Sequence, residues 1–164
     1  MTTTITKTIG AGQNYTTVQA WYDGINTDAG GTNLVSLDVA AVGKVVGNLT
    51  GTLLTSSTLY TTDATRNITL TGNAAETYSG GLNWNTAHGP SITSADTTNG
   101  TINISQPFFV ISNLQINCTG NAGAVRPNAN SITIDSCVIT ASAGGAVILG
   151  TVDASHLLMK NNLV

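Results

Sequence analysis

Charge is what this chain has least of. Five Lys and Arg and eight Asp and Glu amount to 8% of 164 residues, with a net charge of −3, about a third of the usual charged share. Lys7, Lys44, Arg66, Arg126 and Lys160 lie scattered and cannot neutralise a run of phosphates, which excludes a nucleic-acid surface. No apolar run approaches bilayer length, so no membrane contact is expected. Met1-Thr2-Thr3-Thr4-Ile5 has no basic region leading into an apolar core, so no signal peptide is expected either. The missing charge does not mean disorder, because hydrophobic residues reach 41% and the remaining polar positions are Thr, Asn, Ser and Gly. Thr suits a pleated strand, and Asn and Gly supply turns.

What is present is a repeat. Val110–Ile116, Ile132–Ile139 and Leu157–Val164 read as one pattern written three times. Aligning Ile111, Ile134 and Met159 gives offsets of about 23 and 25 residues, a period that belongs to stacked coils. Asn113, Ser136 and Asn161 then share one position, as do Ile116, Ile139 and Val164. Small polar residues at a recurring corner between branched aliphatics predict an all-β fold, a right-handed parallel β-helix. The inward set is expected to be Val110, Ile111, Leu114, Ile116, Ile132, Ile134, Cys137, Ile139, Val147, Leu157 and Met159. Cys137 aligns with Leu114 while Cys118 lies beyond Ile116, too far apart along adjacent strands for a disulfide, so two buried free thiols are expected.

The whole chain, 1–164, reads as one β-helix domain. Residues 5–28 form a cap: a glycine turn, then a short helix over 16–25 in which Thr16 and Gln19 make a capping box and Val18, Trp21, Tyr22 and Ile25 an apolar stripe. Residues 29–71 hold irregular first coils, with strands expected at Leu34–Val39, Lys44–Val46, Thr52–Thr55 and Asn67–Thr71. Residues 72–100 are expected to project as a loop with one strand in it, and regular coils run through 101–164, starting with a strand at Thr101–Ser105. Nothing in the repeat covers the coil ending in Leu163-Val164, so a second subunit or further chain is expected there. Asn-x-Ser/Thr triplets at Asn14, Asn48, Asn67, Asn99, Asn103 and Asn117 follow from composition and are expected to carry no glycan.

Gly10-Ala11-Gly12-Gln13-Asn14-Tyr15-Thr16-Thr17-Val18-Gln19-Ala20 resembles the opening of pectin-lyase-like β-helix proteins, and Val110–Ile116 is similar to their coil consensus. Thr61–Ile68 resembles a phrase of β-helix proteins encoded by tailed bacteriophages. The resemblance implies a superfamily rich in polysaccharide hydrolases, esterases and lyases, which work with clustered aspartates, or with a basic residue and carboxylate-bound calcium. Such clusters are missing. Asp23, Asp28, Asp38, Asp63, Glu76, Asp96, Asp135 and Asp153 supply no two acids at matching positions of neighbouring coils, and glycoside hydrolysis needs such a pair. His88 and His156 have no metal-spaced partner. Asp135 is expected to pair with Lys160 on the surface, and Asp63 with Arg66 within one turn. No catalytic, cofactor or metal residue is assigned and no cofactor is expected.

The reading that results is a structural virion protein of a bacteriophage: a capsid decoration or cement protein, head fibre or spike. It would be made in the host cytoplasm and assembled as a homo-oligomer, a trimer, on capsid or tail proteins. The alternative is a glycan-binding or polysaccharide-degrading module of tailspike or lyase type. Aromatics separate the two, since glycan grooves present a row of Trp or Tyr. With Trp21 and Tyr22 in the cap, Tyr78 and Trp84 in the 72–100 segment are the candidate contacts to a partner or surface glycan. An ice-binding array is disfavoured by the uneven offsets and scattered Thr.

Overall fold

The computed structural model describes residues 1–51, 54–72, 89–120, 122–141 and 157–162. The fold is all-β with parallel sheets. The large sheet runs, in spatial order, β1 (Thr3–Ile9), β2 (Val39–Val45), β5 (Ile68–Gly72), β8 (Phe109–Ser112), β11 (Ile132–Asp135) and β13 (Leu157–Lys160). The second sheet holds β3 (Asn48–Thr50), β6 (Ser91–Ser94), β9 (Gln115–Cys118) and β12 (Val138–Ala141). The third holds β4 (Leu54–Ser56), β7 (Ile102–Ile104) and β10 (Val125–Pro127). Every pairing is parallel. From β2 to β12 the chain visits the large, second and third sheets in fixed rotation.

The register places like side chains on like. Ile134 pairs with both Ile111 and Met159, the alignment read from the repeat. Leu49, Ile92, Ile116 and Ile139 make one in-register column in the second sheet, and Leu54, Ile102 and Val125 another in the third. All but Leu49, which is 7% exposed, are at most 1% exposed. Each such aliphatic contributes roughly 1.5–3 kcal/mol by burial. The aligned corner residues Asn113, Ser136 and Asn161 have φ of 53, 55 and 55°, so all three adopt the left-handed conformation that short polar residues reach at least cost. Each directly follows a strand of the large sheet, β8, β11 or β13.

α1 (Val18–Ala29) covers the first strands, burying Val18, Trp21, Tyr22 and Ile25, the expected stripe. Its cap is Thr17, whose side chain accepts from Ala20 N–H, one residue later than the expected Thr16 box. Gln19 turns away, donating to Asp23 and accepting from Thr55 N–H at 2.8 Å. Gly43 makes room for the Trp21 indole, since a Cβ there would lie 2.5 Å from the ring. The expected strand at Leu34–Val39 is instead a helical turn, α2 (Leu34–Leu37). Asn33 caps it by accepting from Ser36 N–H, and Asp38, at φ 53°, stops it. β2 therefore begins only at Val39 and ends at Val45, covering all but the last residue of the expected Lys44–Val46 strand.

One member of the expected inward set is misplaced. Val110 sits between Phe109 and Ile111, both 0% exposed, and alternation along β8 forces it outward. Leu157 and Met159 share the inward face of Ile132 and Ile134: Leu157 is half-buried against the core and Met159 is 38% exposed, because β13 is an edge strand among the described residues. Val147 lies outside the described residues. Cys118 and Cys137 are buried and free; Cys118 pairs across Ser94 and Ala141. β6 lies inside the 72–100 segment, where one strand is expected, and pairs with β3 and β9.

Candidate functional site: the outward face of the large sheet

Alternation along each strand of the large sheet divides its outward side chains into two columns. The first is Thr6, Val42, Thr69, Val110, Thr133 and Leu158, each in register with the next. Five strand steps of about 4.8 Å make it about 24 Å long. It holds no charge, and four of its members are only half-buried while Thr6 and Leu158 are exposed. The second column is Thr8, Lys44, Thr71, Ser112, Asp135 and Lys160. There Ser112 Oγ donates to Thr71 Oγ1 at 2.9 Å and Lys160 Nζ meets Asp135 at 3.1 Å, the expected pair. Asn161 and Lys160 hydrogen bonds hold the Asp135 carboxyl below the usual range.

Beside the uncharged column lies a cleft of ≈ 290 Å³ lined by Ala64, Asn67, Phe108, Val110, Ser131 and Thr133. Phe108 and Ser131 enter β8 and β11 with φ of 53 and 60°. A left-handed phenylalanine costs about 1–2 kcal/mol; the surrounding ladder holds it, with Ile68 N–H donating to Phe108 O at 3.2 Å. The residue order Pro107-Phe108-Phe109 carries the reason. Phe109 fills the core, so Phe108 is left at the surface, half-buried. No charged side chain lines the cleft.

The carboxylates lie elsewhere, and each described one has a partner. Asp28 takes Lys7 Nζ at 2.9 Å and the Tyr15 hydroxyl at 2.7 Å; burial, with this bond, pushes the Tyr15 phenol up to about 12. Arg66 bridges Asp38 and Asp63, both at 3.0 Å, so the expected Asp63–Arg66 pair has a second acid. Asp96 accepts from Thr98, Asn99 and Gly100 N–H. Asp23 accepts from Gln19. The Thr2 and Arg66 hydrogen bonds hold Asp38 low, and the Arg66 and Thr65 amides hold Asp63 low. A glycosidase acid needs the opposite shift. Among the described residues no group of three or more His, Cys, Asp or Glu could hold a metal ion, and no helix is long and apolar enough to cross a membrane.

Tyr78 and Trp84, the sequence candidates for a glycan or partner contact, lie outside the described residues, as do Glu76, His88, Asp153 and His156. Trp21 and Tyr22 are both 1% exposed. Tyr22 packs edge-on to Tyr60 with centroids 5.3 Å apart, as a lid and not as a stacking platform. The uncharged column and the cleft were not among the sequence candidates. No protein-family model matches the chain, and no curated protein and no solved structure matches it.

Proposed function

We propose that this chain is a right-handed parallel β-helix of the pectin-lyase-like kind, encoded by a tailed bacteriophage, and that it is a structural part of the virion: a capsid decoration protein, head fibre or spike. The rotation of strands among three parallel sheets and the left-handed corners support the β-helix. The observation that carries the structural role is the uncharged outward column of the large sheet. This column of Thr, Val and Leu can be covered by another copy without stripping water from ions, a step that costs several kcal/mol per charge. The condition is that Lys44 and the Asp135–Lys160 pair of the neighbouring column stay at the rim. The pairing of each described carboxylate fits the same role, because it leaves those groups holding the fold. The assembly is a homotrimer with the large sheets turned inward, seated on capsid or tail proteins.

Light scattering over a wide concentration range tests the assembly. Wild type is expected to hold a trimer mass, whereas Val110→Glu and Thr133→Asp are expected to stay folded and run as monomers. A wild-type monomer at every concentration overturns the trimer. Protein mass spectrometry of purified particles of the phage encoding the chain tests the location; absence from those particles overturns the virion role. A glycan-binding module is the second reading, favoured by the cleft beside Phe108, where an aromatic ring and the polar side chains of Asn67, Ser131 and Thr133 meet. Binding of host surface polysaccharide that Phe108→Ala abolishes would select it.

A further inference from the structure

We infer that Asn99–Gly100 is a latent deamidation site that Asp96 holds shut. The chain has one Asn-Gly step, at 99–100, and the loop requires its glycine. Gly100 has φ +83°, and a Cβ there would lie 2.2 Å from Gly123 O. Glycine after asparagine leaves the backbone nitrogen unshielded by a side chain. That nitrogen can attack the Asn99 side-chain carbonyl carbon, closing a five-membered succinimide while the side-chain nitrogen departs as ammonia with the amide proton. Water then opens the ring at either carbonyl, leaving aspartate or isoaspartate at 99. The net change is amide plus water to acid plus ammonia, with water as the only co-reactant.

The folded loop blocks the first step. Gly100 N–H donates to Asp96 Oδ1 at 3.1 Å, and the same oxygen accepts from Thr98 N–H at 2.8 Å and from Asn99 N–H. The attacking nitrogen is therefore committed, and the backbone on both sides of it is fixed. Two outer contacts keep Asp96 in place: Cys118 Sγ donates to Asp96 O at 3.5 Å, and Arg126 Nη1 donates to Thr98 O. Asn99 itself is only half-buried, so solvent can reach the ring once formed. Its protection comes from the hydrogen bonds and not from burial. The inference does not depend on what the protein assembles with, although a particle that persists without resynthesis gains from such a guard.

The test holds purified protein at about pH 8 and physiological temperature beside the same protein unfolded in urea. Peptide mapping by mass then follows isoaspartate at residue 99. The need to open a charge-assisted hydrogen bond first keeps the reactive population down by at least about tenfold, so the folded protein is expected to deamidate at least tenfold more slowly than the unfolded. Asp96→Ala is expected to approach the unfolded rate and Asp96→Asn, which keeps an acceptor without the charge, to fall between. Thr97→Ala, with its exposed side chain, is expected to match wild type. Folding of each variant is checked by protection of the remote Cys137 thiol. Equal rates in folded and unfolded wild type overturn the inference, as does a folded Asp96 variant that is no faster than wild type.

Discussion

Replacing Ile134 by aspartate should unfold the protein, while the same change at Thr133 should leave it folded. Ile134 is 0% exposed and stacks on Ile111. Losing its burial removes roughly 1.5–3 kcal/mol, and placing an unpaired carboxylate there adds several kcal/mol more. Together these match much of the 5–15 kcal/mol that typically holds a domain of this size. Thr133 is half-buried on the opposite face, beside Val110 and Leu158, where an added charge reaches water and costs within about 1 kcal/mol. Ile134→Ala supplies a graded step at about 2–5 kcal/mol. Urea titration followed by far-ultraviolet circular dichroism measures all three. Equal destabilisation by Ile134→Asp and Thr133→Asp would refute the assignment of inward and outward faces.

Gly43→Ala should lower stability by about 1–3 kcal/mol through overpacking against the Trp21 indole, read as a fall in thermal midpoint with quenched Trp packing in near-ultraviolet dichroism; an unchanged midpoint would show that α1 can slide away. Burial holds the Cys137 thiol up at about 12, so native protein should resist alkylation at about pH 8, and two thiols should titrate once urea is added without reductant. The carboxyls of Asp38, Asp63, Asp96 and Asp135 are all held below the usual range. Their contribution is complete above the unfolded value near about 3.9 and is lost as pH falls through the lower folded values. The urea midpoint should accordingly fall at acid pH, and neutralising Asp96 as Asp96→Asn should flatten that fall.

Where the sequence was legible, the signal was local and repeated. The alignment of Ile111, Ile134 and Met159 is the observed register, because in a parallel ladder sequence offset and spatial neighbour are the same fact. Asn113, Ser136 and Asn161 stood out as small polar residues at one position, and their common left-handed backbone explains why. Single-residue competition was harder to read. Thr16 and Thr17 both suit a helix cap, and Asn33 with Asp38 turned a strand-like Leu-Val-Ser-Leu into a helical turn. Val110 and Ile111 are both aliphatic, and only the pleat decides which faces inward. The cleft could not be read at all, since its walls come from segments 64–67, 108–110 and 131–133, which no window along the chain brings together.

The parallel ladder of the large sheet has a further consequence for what the chain can carry. Ile68 pairs with Phe109 across 41 residues of sequence, Val110 with Thr133 across 23, and Ile134 with Met159 across 25. Spans of such different length deliver the next strand to the same register, so the ladder and not the length of the spacer sets where pairing resumes. Lengthening a flexible spacer is cheap, about 0.6 kcal/mol for each doubling. The molecule therefore separates a fixed metre from free text. Foreign peptides spliced between Gly72 and Pro90 would lengthen the 41-residue interval from Ile68 to Phe109 and leave β5 paired with β8 in the same register.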